Sequence, residues 1–532
     1  MGIFISVPKT IECILTAIFL AILLCSAAYR QAGVLQSSGY DNGKYFKWVK
    51  KKGNLAYDRY ALLALLCVLG SAVLSLCFSF LGEWAAVVSL TVYLLFFIVY
   101  LWEDKKIALR SEAALTPRFL RLYAVYFFVC LVVSYICVTL LNFADSLWGN
   151  EVFSCIRYCP LGVLPLLIIP LLMLANSAAK LYEIPHNGKF IKRAKEKLAK
   201  SNIKVIGITG SYGKTSTKFI LNSLLSRKYR VLTTPRSHNT PIGIALAINS
   251  NELENYDVFI AEMGARHVGD IAELCQLCPP NVSLITGICG QHMETFGTFQ
   301  NIVKAKGEIL DYTSGKAIIS DDCFDLFAEF PCDKVRACCV SEVNPTKDGT
   351  EFKLTLGGNS RLVKTKLLGA HSAYNIGLAA EAAFAVGMTL DEIADAVPEI
   401  EFIEHRLQLI KANGVNILDD GYNSNVKGAR AALEVLKLFE GRRIVITPGL
   451  VELGVLEEEE NFSLGQSLVG FDYIILVGDT LVQPVRRGYL ESGGDSEKLQ
   501  VLPTLAAAQE KLKEIIQEGD TVLFLNDLPD IY

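Results

Sequence analysis

Apolar residues are unevenly distributed along the chain. Before residue 180 they form five long runs with almost no charge inside them, over residues 13–29, 60–81, 84–102, 122–143 and 158–179. Each approaches the ~20 apolar residues that about 30 Å of hydrocarbon requires. A soluble bundle would break such runs with charges on its outward face, so five membrane-spanning helices are predicted. Beyond residue 204 short apolar strands alternate with helical periodicity. Residues 205–208, 258–261 and 282–286 read as buried strands, and a helix from about Asp270 to Leu277 separates the last two. That is the rhythm of a parallel sheet with covering helices. Alternating Phe352, Leu354 and Leu356 predict a β-rich insert over 352–368. Strands at 415–418, 444–447, 473–477 and 521–525 predict a second, smaller α/β domain from about Glu404.

Lysine and arginine orient the spans. Seven basic residues from Arg30 to Arg59 lie between spans one and two, five from Lys105 to Arg121 between three and four, and seven from Lys180 to Lys200 after span five. The turn at Gly82-Glu83 has none, and the segment before span five has only Arg157. Basic loops stay on the cytoplasmic side, which predicts a multi-pass cell-membrane protein with its N-terminus outside and everything after residue 180 in the cytoplasm. The first run ends in Ser26-Ala27-Ala28, as a cleaved signal would, but four further spans favour a retained anchor. Between spans one and two, Tyr45, Phe46 and Trp48 alternate with Lys44, Lys47 and Lys50. That mixture suits a segment lying on an anionic inner leaflet, or a plain connector. The net charge of -4, with no basic patch interleaved with aromatics, argues against nucleic acid as a partner. Of fifteen cysteines, eight sit in or beside the spans, where a thiol behaves as a small apolar group. Cys275 and Cys278 have a zinc-like spacing, but they fall on a predicted helix without a second pair, so packing is the expectation.

The densest chemistry lies at residues 206–218. A buried strand ends at Ile208, glycines allow a tight turn, and Lys214 opens a helix with Phe219, Ile220, Leu224 and Leu225 at helical spacing. Backbone N–H groups at a helix N-terminus attract phosphate. Lys214 adds a mobile positive charge, and the Thr215 hydroxyl is placed for a phosphate-bound magnesium. ATP is the expected ligand. The common spacing puts a glycine where this chain has Ile208, with Gly207 and Gly210 on either side. The expected fold is therefore an N-terminal α-helical membrane domain (1–180), a basic linker (181–203), an α/β phosphate-loop parallel-sheet ATPase domain with a β-rich insert (204–403), and a C-terminal Rossmann-like α/β domain (404–532).

Glu262, in Ala261-Glu262-Met263-Gly264-Ala265, and His292, in Gly290-Gln291-His292-Met293-Glu294, each follow a predicted strand end, where open α/β sheets bind ligands. Together with the phosphate loop, with Ala305-Lys306-Gly307-Glu308-Ile309, Gly369-Ala370-His371-x-x-x-Asn375, Glu404-His405-Arg406, Asp419-Asp420-Gly421-Tyr422-Asn423-Ser424-Asn425 and Glu452-Leu453-Gly454, they form an ordered series that resembles the Mur ligases. The resemblance runs from about residue 204 to the C-terminus. Its last two motifs are most similar to the branch that adds D-alanyl-D-alanine, MurF. It implies ATP-driven amide formation on a peptidoglycan precursor, with an amino acid or dipeptide as the amine. It also implies that Gly210, Ser211, Gly213, Lys214, Thr215 and Ser216 cradle the phosphates, and that Thr215 and Glu262 hold one magnesium. His292 and a carbamylated Lys306 would hold a second magnesium. Asn375 corresponds to an adenine contact, Arg406 and Asp420 to ribose and phosphate contacts from the last domain, and Asn239, Tyr422 and Asn423 to substrate contacts.

Two departures bear on the substrates. Five spans stand in place of the family's uridine-nucleotide-binding domain, offering a surface for a lipid-linked precursor or for partner proteins of wall synthesis. After the last strand, Leu525-Asn526-Asp527-Leu528 replaces a Lys-Gly-Ser segment. A MurT-like amidating ligase would be expected to carry a regular zinc ribbon, and the irregular cysteines do not form one. A catalytically inactive membrane scaffold is the reading from another class, and the retained Lys214, Glu262 and Lys306 speak against it.

Overall fold

The computed structural model describes residues 7–50, 56–80, 85–105, 113–148, 151–235, 238–291, 293–422, 425–451, 453–478 and 481–526. They fall into two compact units that divide between His186 and Asn187.

The first unit is helical: α1 (Val7–Ser37), α2 (Asn42–Lys50), α3 (Ala56–Cys77), α4 (Ala85–Lys105), α5 (Pro117–Trp148), α6 (Glu151–Ile156), a 3-10 segment (Cys159–Leu167) and α7 (Ile168–Ala199), whose end enters the second unit. Five of these stretches are long and apolar enough to cross a membrane. On α3, Tyr60, Leu63 and Cys67 are buried while Leu62, Leu65, Leu69 and Val73 are exposed. Both faces of the helix are thus apolar, which a water-facing helix avoids. Arg157, 3% exposed, is matched by Glu12 at 2.9 Å and Asp145 at 3.4 Å, as a charge buried among apolar helices requires.

The fifth span differs from the continuous helix expected. It opens as a 3-10 segment with Pro160 in its first turn and Pro165 in its interior, where proline cannot donate the i→i−4 bond of an α-helix. Gly162 lies so close to α3 that a Cβ there would fall 2.8 Å from the Val68 nitrogen. The expected linker is also different: α7 continues to Ala199. Ala194 and Leu198 are four residues apart on one face and are buried in the core of the second unit. The basic residues between them made an amphipathic helix look like a connector.

In the second unit, β1 (Lys204–Thr209), β2 (Val231–Thr233), β3 (Val258–Glu262), β4 (Val282–Ile285), β5 (Ala317–Ser320) and β6 (Lys334–Ala337) form a parallel sheet in the order β2-β3-β1-β4-β5-β6. The insert is an antiparallel sheet of β7 (Val340–Thr346), β8 (Gly349–Leu356) and β9 (Asn359–Thr365), with Phe352, Leu354 and Leu356 buried. The last six strands are β10 (Gln408–Ala412), β11 (Val415–Asp420), β12 (Arg443–Thr447), β13 (Tyr473–Val477), β14 (Leu499–Leu502) and β15 (Thr521–Leu525), in the order β10-β11-β15-β12-β13-β14. The β10–β11 pair is antiparallel and the other pairings are parallel. In the first sheet β1 lies between β3 and β4, so the chain leaves it toward one edge and later returns on the other side. Ligands bind at the strand ends of such a switch point.

Candidate active site

The loop after β1 carries two glycines in conformations that other residues rarely adopt, Gly210 at φ 148 and Gly213 at φ 77. A Cβ on Gly210 would collide with Thr286 at 2.2 Å, and one on Gly213 would come within 3.1 Å of Asn375 Oδ1. The loop is therefore pressed between the end of β4 and the helix Ala370–Val386. It leads into α8 (Lys214–Leu225), with Lys214 at the first position. Lys214 Nζ donates to the carbonyls of Gly210 at 2.7 Å and Ser211 at 3.3 Å. Burial lowers its pKa, with Glu262 acting in the opposite direction.

The β1–β3 register sets Glu262 beside Ile208, next to this loop. Glu262 is 1% exposed, and its carboxylate accepts from Thr215 Oγ1 at 3.2 and 3.3 Å and from Asn239 Nδ2 at 3.3 Å. Lys218 Nζ lies 3.0 Å from Glu262 Oε2 and donates to the Thr234 carbonyl at 3.1 Å. The pairing with Lys218 was not anticipated from the sequence. Lys218 lies four residues after Lys214, and buried Leu221 and Leu225 follow it on the inward face of α8. That apolar stripe was the available signal.

Lys306, on the helix Phe299–Asp311, is 3% exposed. Its Nζ reaches the Ala265 carbonyl at 3.5 Å and stands 5.9 Å from the Phe296 ring centroid. Burial, and then the positive charge of Lys214, hold its pKa well below the ordinary lysine value. From the C-terminal domain comes Arg406, flanked by His405 at φ 58 and Leu407 at φ 49, both in the left-handed region. Two aspartates hold this bend. Asp419 Oδ2 lies 2.7 Å from His405 Nδ1, and the Leu407 N–H donates to Asp420 Oδ1 at 3.1 Å. Arg406 Nη1 donates to the Tyr422 carbonyl at 3.1 Å, and its guanidinium lies 4.3 Å from the Tyr422 ring centroid.

These residues line two adjoining cavities. One, of about 480 Å³, is bordered by Gly210, Ser211, Gly213, Lys214, Thr215, Ser216, Asn239, Glu262, Lys306, Arg406 and Tyr422. The other, of about 460 Å³, is bordered by Gly213, Ser216, His371, Asn375, Arg406 and Asp420. Arg406 faces both. Burial lowers the His371 pKa to about 4, so the ring is neutral at physiological pH. Of the residues expected from sequence, His292 and Asn423 lie outside the described residues, and the others come together here.

The Mur ligase middle domain matches residues 208–383, and the Mur ligase glutamate ligase domain matches residues 405–526. The chain belongs to the Mur ligase family. It is 31% identical over 292 residues to the UDP-N-acetylmuramoyl-tripeptide–D-alanyl-D-alanine ligase of Escherichia coli (strain K12), covering 52% of this chain and 64% of that protein. Against the ligase of the same name from Bacillus subtilis (strain 168) the identity is 28%, covering 50% of this chain and 60% of that one. The match thus spans less than two thirds of the length of either relative. A crystal structure of MurF ligase from Thermotoga maritima in complex with ADP superposes with a TM-score of 0.59 at 26% identity, covering 65% of this chain and 81% of that one.

The donor set of this Mur ligase fits a magnesium ion at one position. The Thr215 hydroxyl and the Glu262 carboxylate are hard oxygen donors that already converge. At the second expected position Lys306 as an ammonium repels a cation, whereas its carbamate is an oxygen donor. Cys275 and Cys278 are buried in the core of this unit, where Cys275 Sγ lies 3.8 Å from Met263 Sδ.

Proposed function

We propose that the chain is a membrane-anchored, ATP-dependent amide ligase of the MurF type, acting in peptidoglycan-precursor or cell-envelope synthesis on the cytoplasmic face of the membrane. The observation that carries this reading is the convergence of Lys214, Thr215, Glu262, Lys306 and Arg406, from separate segments and two domains, on one cleft. A carboxylate is a poor electrophile. Transfer of the γ-phosphoryl group of ATP to the substrate carboxylate gives an acyl phosphate and ADP. The amine then attacks the acyl carbon, phosphate leaves, and a proton is released from the nitrogen. Lys214 and the loop N–H groups hold the transferring phosphates. Asn375, Arg406 and Asp420, around the adjoining cavity, hold the nucleoside end.

Magnesium, when bound, supplies positive charge against the phosphates, with Thr215 and Glu262 as ligands at one site and His292 and carbamylated Lys306 at the other. Asn239, Tyr422 and Asn423 face the substrates in this reading, His292 and Asn423 on their motifs alone. Arg406 reaches the cleft from the C-terminal domain, so closure of the two domains would exclude water from the labile acyl phosphate.

Purified full-length protein is expected to form an amide and release phosphate when given ATP, magnesium, a muramoyl peptide and D-alanyl-D-alanine or another amino acid or dipeptide. Product mass and phosphate release check this, and phosphate release without amide formation would refute the ligase reading. One transmembrane helix already gives effectively irreversible attachment, so five apolar helices point to a membrane-presented acyl donor. A lipid-linked muramoyl peptide is expected to show a higher kcat/KM than the nucleotide-linked form, and equal or better use of the nucleotide form counts against this. Topology has its own check. A reporter active only in the cytoplasm is expected to work when fused after Lys200 and to fail when inserted near Asn150, and the reverse pattern would overturn the orientation.

A further inference from the structure

Tyr212 stands in the phosphate loop between Ser211 and Gly213, where phosphate binding asks chiefly for backbone N–H groups. A large ring at this place calls for another explanation. The ring lies directly against the backbone after β4, and a Cβ on Gly287 would fall 2.2 Å from Tyr212 Cζ. Its hydroxyl donates to Asp322 Oδ2. Asp322 belongs to the turn Asp321–Phe327 that follows β5 in the parallel-sheet domain. From the C-terminal domain, Lys427 Nζ donates to the same Asp322 Oδ2 at 2.8 Å and to the Tyr212 hydroxyl at 2.9 Å. It also stands 5.0 Å from the Tyr212 ring centroid.

The position of Lys427 in its own helix is informative. Asn425 caps the helix Val426–Leu436, accepting from the Gly428 N–H at 3.0 Å, so Lys427 lies in the first turn. A cation there opposes the helix dipole. Local helix energetics therefore do not favour a lysine at this place, whereas the Asp322 carboxylate across the domain boundary does. Tyr212, Asp322 and Lys427 border the same cavity as Asn375 and Asp420.

We propose that Lys427, Asp322 and Tyr212 form a clasp that holds the C-terminal domain against the phosphate loop around the bound nucleotide, making Lys427 a positioning residue for ATP. This rests on the reading of the cleft as an ATP site. Burial disfavours the Asp322 carboxylate, but the hydrogen bonds from Lys427 and Tyr212 outweigh it and keep its pKa below the ordinary value. Burial, reinforced by Asp322, raises Tyr212, which stays a hydroxyl donor. Both partners are therefore in the states the clasp requires at neutral pH.

Lys427 and Asp322 have side chains 52% and 40% exposed. An exposed pair contributes up to about 1 kcal/mol, so its loss corresponds to about a fivefold change in affinity. The test is calorimetric titration of ADP with magnesium into full-length, detergent-solubilised protein, alongside the KM for ATP. Lys427→Met is expected to weaken ADP about fivefold, raise the KM by a similar factor, and leave kcat at saturating ATP within about twofold. Asp322→Lys alone should weaken ADP at least as much. Combined with Lys427→Asp it should recover to within about twofold of the unaltered protein, because the swapped pair restores the attraction. Unchanged ADP affinity in Lys427→Met, or a swap no better than the single changes, overturns the clasp. No ADP binding by the unaltered protein overturns the nucleotide reading itself, and the clasp with it.

Discussion

Replacing Lys306 by alanine is expected to lower the ligation rate by about two to three orders of magnitude while leaving ADP binding nearly unchanged. The side chain is buried, and an ammonium at this place is disfavoured first by burial and then by Lys214. Its amine is thus biased toward the neutral form, the form that adds to carbon dioxide to give a carbamate and release a proton. One negative charge about 4 Å from a unit positive charge is worth about 4 kcal/mol at an effective dielectric near 20. That corresponds to roughly three orders of magnitude in rate. A short-chain acid in solution is expected to restore part of the activity by lending the missing carboxylate. Labelled bicarbonate should give a carbamate carbon signal in the unaltered protein and none in the variant. Full activity in the alanine variant would remove Lys306 from the reaction.

The parts of this fold that could be read from the sequence are those whose pattern is local. The apolar runs correspond to helices, and β13 and β15 begin and end where their short apolar runs placed them. The phosphate loop is set by a strand, glycines and a helix start within about a dozen residues. Some of what was missed has a clear physical cause. β2 has only three residues, and β6 and β14 lie at sheet edges, where half-exposed positions weaken the apolar signal. The end of α7 was hidden by lysines on its solvent side, although Ala194 and Leu198 kept helical spacing. Lys427 meets Tyr212 across 215 residues of chain. No local pattern encodes such a contact, and it becomes legible only once the C-terminal domain stands beside the parallel sheet.

Removing the charge of Lys218 while keeping that of Glu262 is expected to destabilise the second unit by about 3–5 kcal/mol, the usual cost of leaving a buried ion without its partner. Both side chains are 1% exposed and their charged atoms lie 3.0 Å apart, so water cannot compensate either one. The geometry also says what the pair does for the site. Lys218 takes Glu262 Oε2 from one side, while Asn239 donates to Oε1, and Thr215 lies within 3.3 Å of both oxygens. The carboxylate is thereby held in place, as it would have to be to serve as a ligand to a cation beside Thr215. Lys218→Met and Glu262→Gln should each lower the melting temperature of detergent-solubilised protein. Their combination should cost clearly less than the sum, because a neutral pair leaves no buried ion. Magnesium with ADP adds a second discriminating measurement. Positive charge beside Glu262 should offset the loss of Lys218, so the ligand is expected to raise the melting temperature of Lys218→Met by more than that of the unaltered protein. Strictly additive losses, together with equal ligand-induced shifts, would show that Lys218 and Glu262 are neighbours without being coupled.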